Sequence, residues 1–188
     1  MPLDIGIGIL GAIGISRSFG LPLTAELVVG GIIFALLADA DLLWHLIRGG
    51  TMKNGHRHRD LLHYPILFIP VGCVAVYFVG GLPWAALFFT TSLAHFLHDS
   101  IGIGWGVAWL WPFNTHRYSF FYVFQPRHRK PMPRQLVYVW PNHKIDELER
   151  EFGDHDFMTH VYWQLHPYAI VEFLLLLLSI GLLVFYAG

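Results

Sequence analysis

The chain has 188 residues, of which 55% are hydrophobic and only 13% charged, with a mean hydropathy of +0.50. That balance leaves a soluble domain of this size without enough polar surface to cover itself, and a net charge of −1 gives no reason to expect stable nucleic-acid binding. One integral membrane domain over residues 1–188 is the expectation, and the single cysteine, Cys73, excludes internal disulfides and paired-thiolate metal sites.

The first stretch, Leu3 to Ser16, is apolar and glycine-rich. About fourteen residues rising ~1.5 Å each fall short of a hydrocarbon core of about 30 Å, which predicts a half-span or a packed, tilted helix. Gly6-Ile7-Gly8-Ile9-Leu10-Gly11 matches the letters of a dinucleotide fingerprint. Too little chain precedes it for the strand that fingerprint requires, so the glycines read as small residues for close helix contact. A basic leader and a small-residue cleavage site are both lacking, so no removable signal peptide is expected.

A second helix runs from Leu23 to Ala38 and continues through Asp39, Asp41 and His45, turning polar at its far end. Asp41 and His45 are one turn apart. Asp39 and Asp41 point to opposite faces of an ideal helix, so they serve one site only if the helix ends or bends there, or if each binds a different ion. Gly49-Gly50 opens a loop with Arg48, Lys53, Arg57 and Arg59 and the histidine-dense run from His56 to His63. A third helix, from about Leu61 to Gly80 with a kink at Pro70, turns at Gly80-Gly81-Leu82-Pro83 into a fourth, Trp84 to Asp99, making a hairpin across the bilayer.

That fourth helix ends on Ala94-His95-Phe96-Leu97-His98-Asp99-Ser100, with Trp109-Leu110-Trp111-Pro112-Phe113 close behind. His95, His98 and Asp99 share one helix face, the spacing a metal ion or a proton relay needs. Ionisable groups at the edge of a membrane segment are costly unless paired or coordinated, which marks them as a functional site. Residues 114–166 form an extramembrane insertion with a basic loop through Arg127, Arg129, Lys130 and Arg134 and short helices near 145–152 and 155–164, before a last span from Tyr168 to Ala187. Within it, His116, His128 and His143 read as surface histidines, and Asp156 with His160 as a further pair that would complete the site. The predicted fold is all-α, a multi-pass transmembrane helical bundle of about four to five membrane helices with a mixed cytoplasmic segment.

Sidedness follows from charge. If helices three and four form a hairpin, the loops after helices two and four share one side, and they hold eleven of the twelve Lys and Arg residues. The positive-inside tendency makes that side cytoplasmic, in a plasma (inner) membrane protein whose candidate site faces the cytoplasm. Asp39, Asp41, His45, His58, His63, His95, His98 and Asp99 all fall on it.

Three motifs resemble the SOS-associated membrane-bound metal-dependent hydrolases of the YdjM type. The family's Pro-Asp-x-Asp-His element is similar to Ala38-Asp39-Ala40-Asp41-Leu42, and its His-Arg-x-x-Thr-His-Ser element to His58-Arg59-Asp60-Leu61-Leu62-His63-Tyr64. Its Ser-His-x-x-x-Asp and Trp-Pro-Phe elements are similar to Ala94-His95 through Asp99 and Trp111-Pro112-Phe113. Together they span about residues 25 to 120. Leu42 stands for the family's histidine, and Leu62 and Tyr64 for its threonine and serine, leaving His45 or His98 as substitute ligands. The resemblance implies a metal shell of Asp39, Asp41, His58, His63, His95 and Asp99. It also implies distant similarity to zinc-dependent phospholipase C and P1 nuclease, and a phospholipid or nucleotide substrate at the bilayer.

The side chains agree with that chemistry. Imidazoles and carboxylates suit zinc, with manganese as a second choice, and such an ion brings the pKa of bound water to about 7. Arg59 is placed to hold a phosphate oxygen through its planar fork, and with His98 it completes the catalytic candidates. One rival is a membrane non-haem di-iron oxygenase of the desaturase or hydroxylase kind, built on His58/His63, His95/His98 and His155/His160. Adjacent His-His pairs expected of those enzymes are absent from the sequence. A second rival is a non-catalytic metal or haem carrier.

Overall fold

The computed structural model describes residues 2–49, 62–126, 132–154 and 156–187. Its helices are α1 (Pro2–Phe19), α2 (Ala25–Leu36), α3 (Ala40–Ile47), α4 (Pro65–Asp99), α5 (Ile145–Phe152) and α6 (Pro167–Ala187). A 3-10 turn, Leu37–Asp39, joins α2 to α3, and a π-helical turn, Met158–Trp163, precedes α6. Four helical segments are long and apolar enough to cross a membrane: Pro2–Phe19, Ala25–Ile47, Pro65–Asp99 and Pro167–Tyr186. Of the two expectations for the first stretch, a half-span or a packed, tilted helix, the packed helix is the one observed: its 18 residues reach about 27 Å and lie against α2.

Inside α4, Gly81 at φ 77° and ψ −170° interrupts the helix, a conformation open to glycine at little steric cost. The result is the expected hairpin. Its first arm begins at Pro65, with residues 62–64 not helical, so His63 stands on the approach to the helix rather than on it.

The chain divides into two compact units, residues 1–40, 67–95 and 170–188 in one and 41–66 and 96–169 in the other. In the first, helices meet over small residues. A Cβ on Gly8 would sit 2.5 Å from the backbone of Ile32, so α1 and α2 touch backbone to backbone, as the glycine-rich run suggests. Ala12, Ile15, Leu27 and Leu87 form the core, and Phe34 packs edge-on against Trp84 and Phe88. Val29, Ile33, Phe78, Val79, Leu174 and Val184 are left exposed, an apolar flank suited to lipid.

The second unit corrects the all-α expectation. Strands β1 (Arg117–Phe120) and β2 (Val137–Trp140) pair antiparallel, from Arg117 opposite Trp140 to Phe120 opposite Val137. The β-branched and aromatic run Val137-Tyr138-Val139-Trp140 favours a pleated, half-buried surface over a helix. Trp105, Val123, Tyr138 and Ile145 form this unit's core. Two indoles are anchored, Trp140 donating to Ser119 Oγ at 2.9 Å and Trp105 to Glu149 Oε2 at 2.6 Å. The short helix expected over 145–152 is present as α5. The one expected over 155–164 is the narrower π-helical turn, with His155 outside the described residues.

Close packing at Gly8 predicts that Gly8→Val lowers stability by about 1–3 kcal/mol through overpacking. Gly14→Ala, where an added Cβ meets nothing within 4 Å, should be neutral or slightly stabilising. Thermal unfolding of both variants in detergent checks the contrast.

Candidate metal centre

Two buried histidines organise the polar layer, and each is held between two carboxylates. In the second unit, His63 Nδ1 lies 2.8 Å from Asp41 Oδ2, and its Nε2 faces Asp99 Oδ2 at 3.2 Å. In the first, His95 Nδ1 lies 3.0 Å from Asp4 Oδ1, and its Nε2 faces Asp39 Oδ1 at 3.9 Å. A carboxylate only accepts, so each Nδ1 carries the proton and donates it backward. That orients each ring with Nε2 facing forward, the arrangement by which an outer carboxylate positions a metal-binding imidazole; in the metal-free protein His63 also carries a proton on Nε2, toward Asp99, which a bound ion would displace.

Local structure explains the placement. The 3-10 turn re-aims the chain between Asp39 and Asp41, so residues that an ideal helix would point apart attend different histidines. His95 and Asp99 stand one turn apart at the end of α4. The neighbours are braced by aromatic contacts: Tyr64 stacks on Trp111 at 4.4 Å, and the His63 ring meets the edge of Phe96, which in turn packs against Trp109. Trp109 Nε1 donates to Ser100 Oγ at 2.8 Å, which ties the tryptophan-rich segment to the end of the helix. Leu62, the departure from the family's threonine, contributes its backbone N–H to Asp41 Oδ2 at 3.3 Å, a contact independent of the side chain.

Asp39, His63, His95 and Asp99 each offer one ligand atom, and these four atoms lie within 4.8 Å of one another, a group able to hold a metal ion. Two imidazole nitrogens and two carboxylate oxygens are donors of the kinds that divalent metal ions accept. Asp41 stands behind His63 rather than in the group of four. His98 is not in it either; its ring stacks on Tyr168 at 6.1 Å. His58 and Arg59 lie outside the described residues, as does His128. His45 keeps a buried Nε2 with no hydrogen-bond partner among the described residues, but it too stands apart from the four. His160 pairs with Asp154 at 2.6 Å rather than with Asp156, which supplies a backbone N–H to Asp154 Oδ1 at 3.0 Å.

Sequence reasoning missed Asp4, which is 1% exposed. Its signal was present, a lone carboxylate in the first turn of an otherwise apolar helix. Glu172, buried inside α6, was missed in the same way.

Burial alone would depress the pKa of His63. The hydrogen bonds and charges of Asp41 and Asp99 outweigh it and raise the value from its ordinary 6.5 to about 9.

Among the described residues, four helical segments long and apolar enough to cross a bilayer accompany a His/Asp group able to hold a metal ion, which defines the chain as a mostly helical protein with candidate membrane spans and a candidate metal centre. The chain belongs to the YdjM inner membrane protein family, whose model matches residues 4–187 and so extends over the last third, where no motif was placed. Inner membrane protein YbcI of Escherichia coli (strain K12) is 34% identical over 125 residues, covering 63% of this chain and 66% of that protein, just under two thirds of its length. No solved structure matches the chain.

Metal and proton compete for His63 Nε2. Below a pKa of about 9 in the metal-free protein, apparent affinity for Zn²⁺ should therefore rise at least tenfold per pH unit. Calorimetric titration at pH 6 and pH 7 checks the slope, and equal affinities would contradict it.

Proposed function

We propose that the chain is a membrane-bound metal-dependent hydrolase, cleaving a phosphodiester or phospholipid at the cytoplasmic surface. The observation that carries this reading is the convergence of Asp39, His63, His95 and Asp99 on a common point. A divalent ion there would supply a Lewis acid and lower the pKa of its bound water, to about 7 in the case of zinc. The two carboxylates offset the divalent charge, and with the ion bound the two imidazoles would be neutral Nε2 donors, each keeping its Nδ1 proton in a hydrogen bond to Asp41 or Asp4. The YdjM-type motifs and the kinship they imply with zinc-dependent phospholipase C and P1 nuclease support a phosphoryl substrate by analogy. The same motifs make Arg59 the candidate for holding a phosphate oxygen, whereas His98, stacked on Tyr168, is given no part in the reaction.

The ligand count favours one rival. Four protein ligands close a tetrahedral zinc shell, the pattern of a structural ion, whereas catalysis needs an open position. Hydrolysis therefore calls for a five- or six-coordinate ion, which manganese accepts more readily, or for release of one carboxylate. A non-catalytic metal carrier is the second reading. Carboxylates facing both Nε2 atoms suit a bare cation better than a haem, and the mixed donor set gives an oxygenase no separate support.

Hydrolysis needs no oxidant. Purified protein with added Zn²⁺ or Mn²⁺ should cleave aryl phosphodiesters or phospholipids under anaerobic, reductant-free conditions. His95→Ala and Asp99→Asn should lower turnover by orders of magnitude with the helical fold intact. Bound metal with no turnover on any of these substrates would favour the carrier.

The cytoplasmic orientation has its own test. In a Cys73→Ser background, Leu82→Cys at the hairpin turn and Lys144→Cys before α5 should label from opposite sides of the membrane. Labelling from the same side contradicts the topology.

A further inference from the structure

The second unit holds a cavity of about 540 Å³ that the metal centre does not use, lined by Phe124, Gln125, His160, Gln164, Leu165 and His166 among others. Hydrogen bonds around it fix which atoms remain available. His160 Nδ1 donates to Asp154 Oδ2 at 2.6 Å, and the other oxygen of Asp154 accepts from the Asp156 backbone, so the carboxylate is immobilised from both sides. The remaining ring atom, Nε2, accepts when the ring is neutral. His166 has the opposite tautomer: its Nδ1 accepts from the Tyr168 backbone N–H at 3.2 Å, which leaves the proton on Nε2 as a donor. Gln125 Oε1 accepts from the Met132 backbone N–H at 2.8 Å, so its amide group contributes two further N–H donors.

The cavity wall thus offers donors on His166 and Gln125 beside an acceptor on His160, with the Phe124 ring packed edge-on against His166 at 5.3 Å as an apolar flank. A fully ionised carboxylate ligand would satisfy the donors but leave His160 Nε2 without a proton to accept. A phosphomonoester carrying one O–H satisfies both, since its anionic oxygens accept and its hydroxyl donates. The backbone around the cavity is unusual in two respects. Leu165 sits at φ 48°, a left-handed conformation rare for a branched apolar residue, and the π-helical turn that presents His160 is a geometry concentrated at functional sites.

We propose that this cavity is a phosphomonoester-binding site, with His166 and Gln125 donating to the anionic oxygens and His160, held by Asp154, accepting the ligand hydroxyl. It stands apart from the hydrolase reading and uses none of the four candidate metal ligands. The ligand is either a soluble phosphomonoester or the headgroup of a monoester phospholipid, since the cavity reaches Pro167, where the last candidate span begins.

The full chain in phosphatidylcholine nanodiscs tests this by equilibrium dialysis with radiolabelled glycerol 3-phosphate, and by native mass spectrometry after doping the discs with phosphatidic acid. Saturable binding of about one molecule per chain is expected in at least one arm. Glycerol 3-phosphate binding identifies the soluble ligand, and retention of phosphatidic acid alone identifies the headgroup. Gln125→Glu keeps the oxygen that Met132 uses while adding a negative charge, and should weaken binding tenfold or more. His160→Phe keeps the ring volume, removes the acceptor, and should do the same should the first variant misfold. Metal content should stay unchanged in both, which separates this site from the metal centre. Absence of saturable binding in both arms, or affinity within twofold of the parent in a folded variant, overturns the proposal.

Discussion

Placing two imidazoles in a nearly dry interior is the constraint on which the polar layer depends. His63 and His95 are 0% and 1% exposed, and a buried ring with unsatisfied nitrogens costs about 1–3 kcal/mol for each polar group left unpaired. Each ring is satisfied from behind by an aspartate that comes from far away in sequence, Asp41 for His63 and Asp4 for His95. The carboxylates in turn are made tolerable in such surroundings by accepting from an imidazole, and Asp41 also from the Leu62 backbone N–H. Histidine and aspartate therefore specify one another, and the elements that carry them are held in register.

This pairing gives the local irregularities a common cause. A continuous helix through residues 37–47 would send Asp39 and Asp41 to opposite faces; the 3-10 turn ending at Asp39 lets one reach His95 and the other His63. A helix beginning at Leu61 would carry His63 on its wall, whereas the observed start at Pro65 leaves that residue before the helix, with its ring against Phe96. The Tyr64–Trp111 stack and the bond from Trp109 to Ser100 give the aromatic segment after α4 a structural part in holding these residues.

Much of the helical layout was legible because apolar runs and glycine or proline punctuation act locally. The hairpin is written in Gly80-Gly81-Leu82-Pro83, and the end of α4 in its His/Asp spacing. Asp4 was not legible, since its partner is 91 positions away and its own helix reads as apolar. The two strands escaped for a different reason: four residues each are too few for alternation to stand out, and their pairing closes over a long connection. His98 shows the limit of spacing arguments. It shares a face with His95 on an ideal helix, yet its ring is taken by Tyr168.

The central claim is that the group formed by Asp39, His63, His95 and Asp99 binds a divalent metal ion. X-ray absorption spectroscopy at the metal edge of the purified, zinc-loaded protein tests it most directly. The account predicts a first shell of nitrogen and oxygen at about 2.0–2.2 Å, the outer-shell scattering of two imidazoles, and no sulfur. A protein that takes up no metal, or a shell that lacks imidazole, would contradict it.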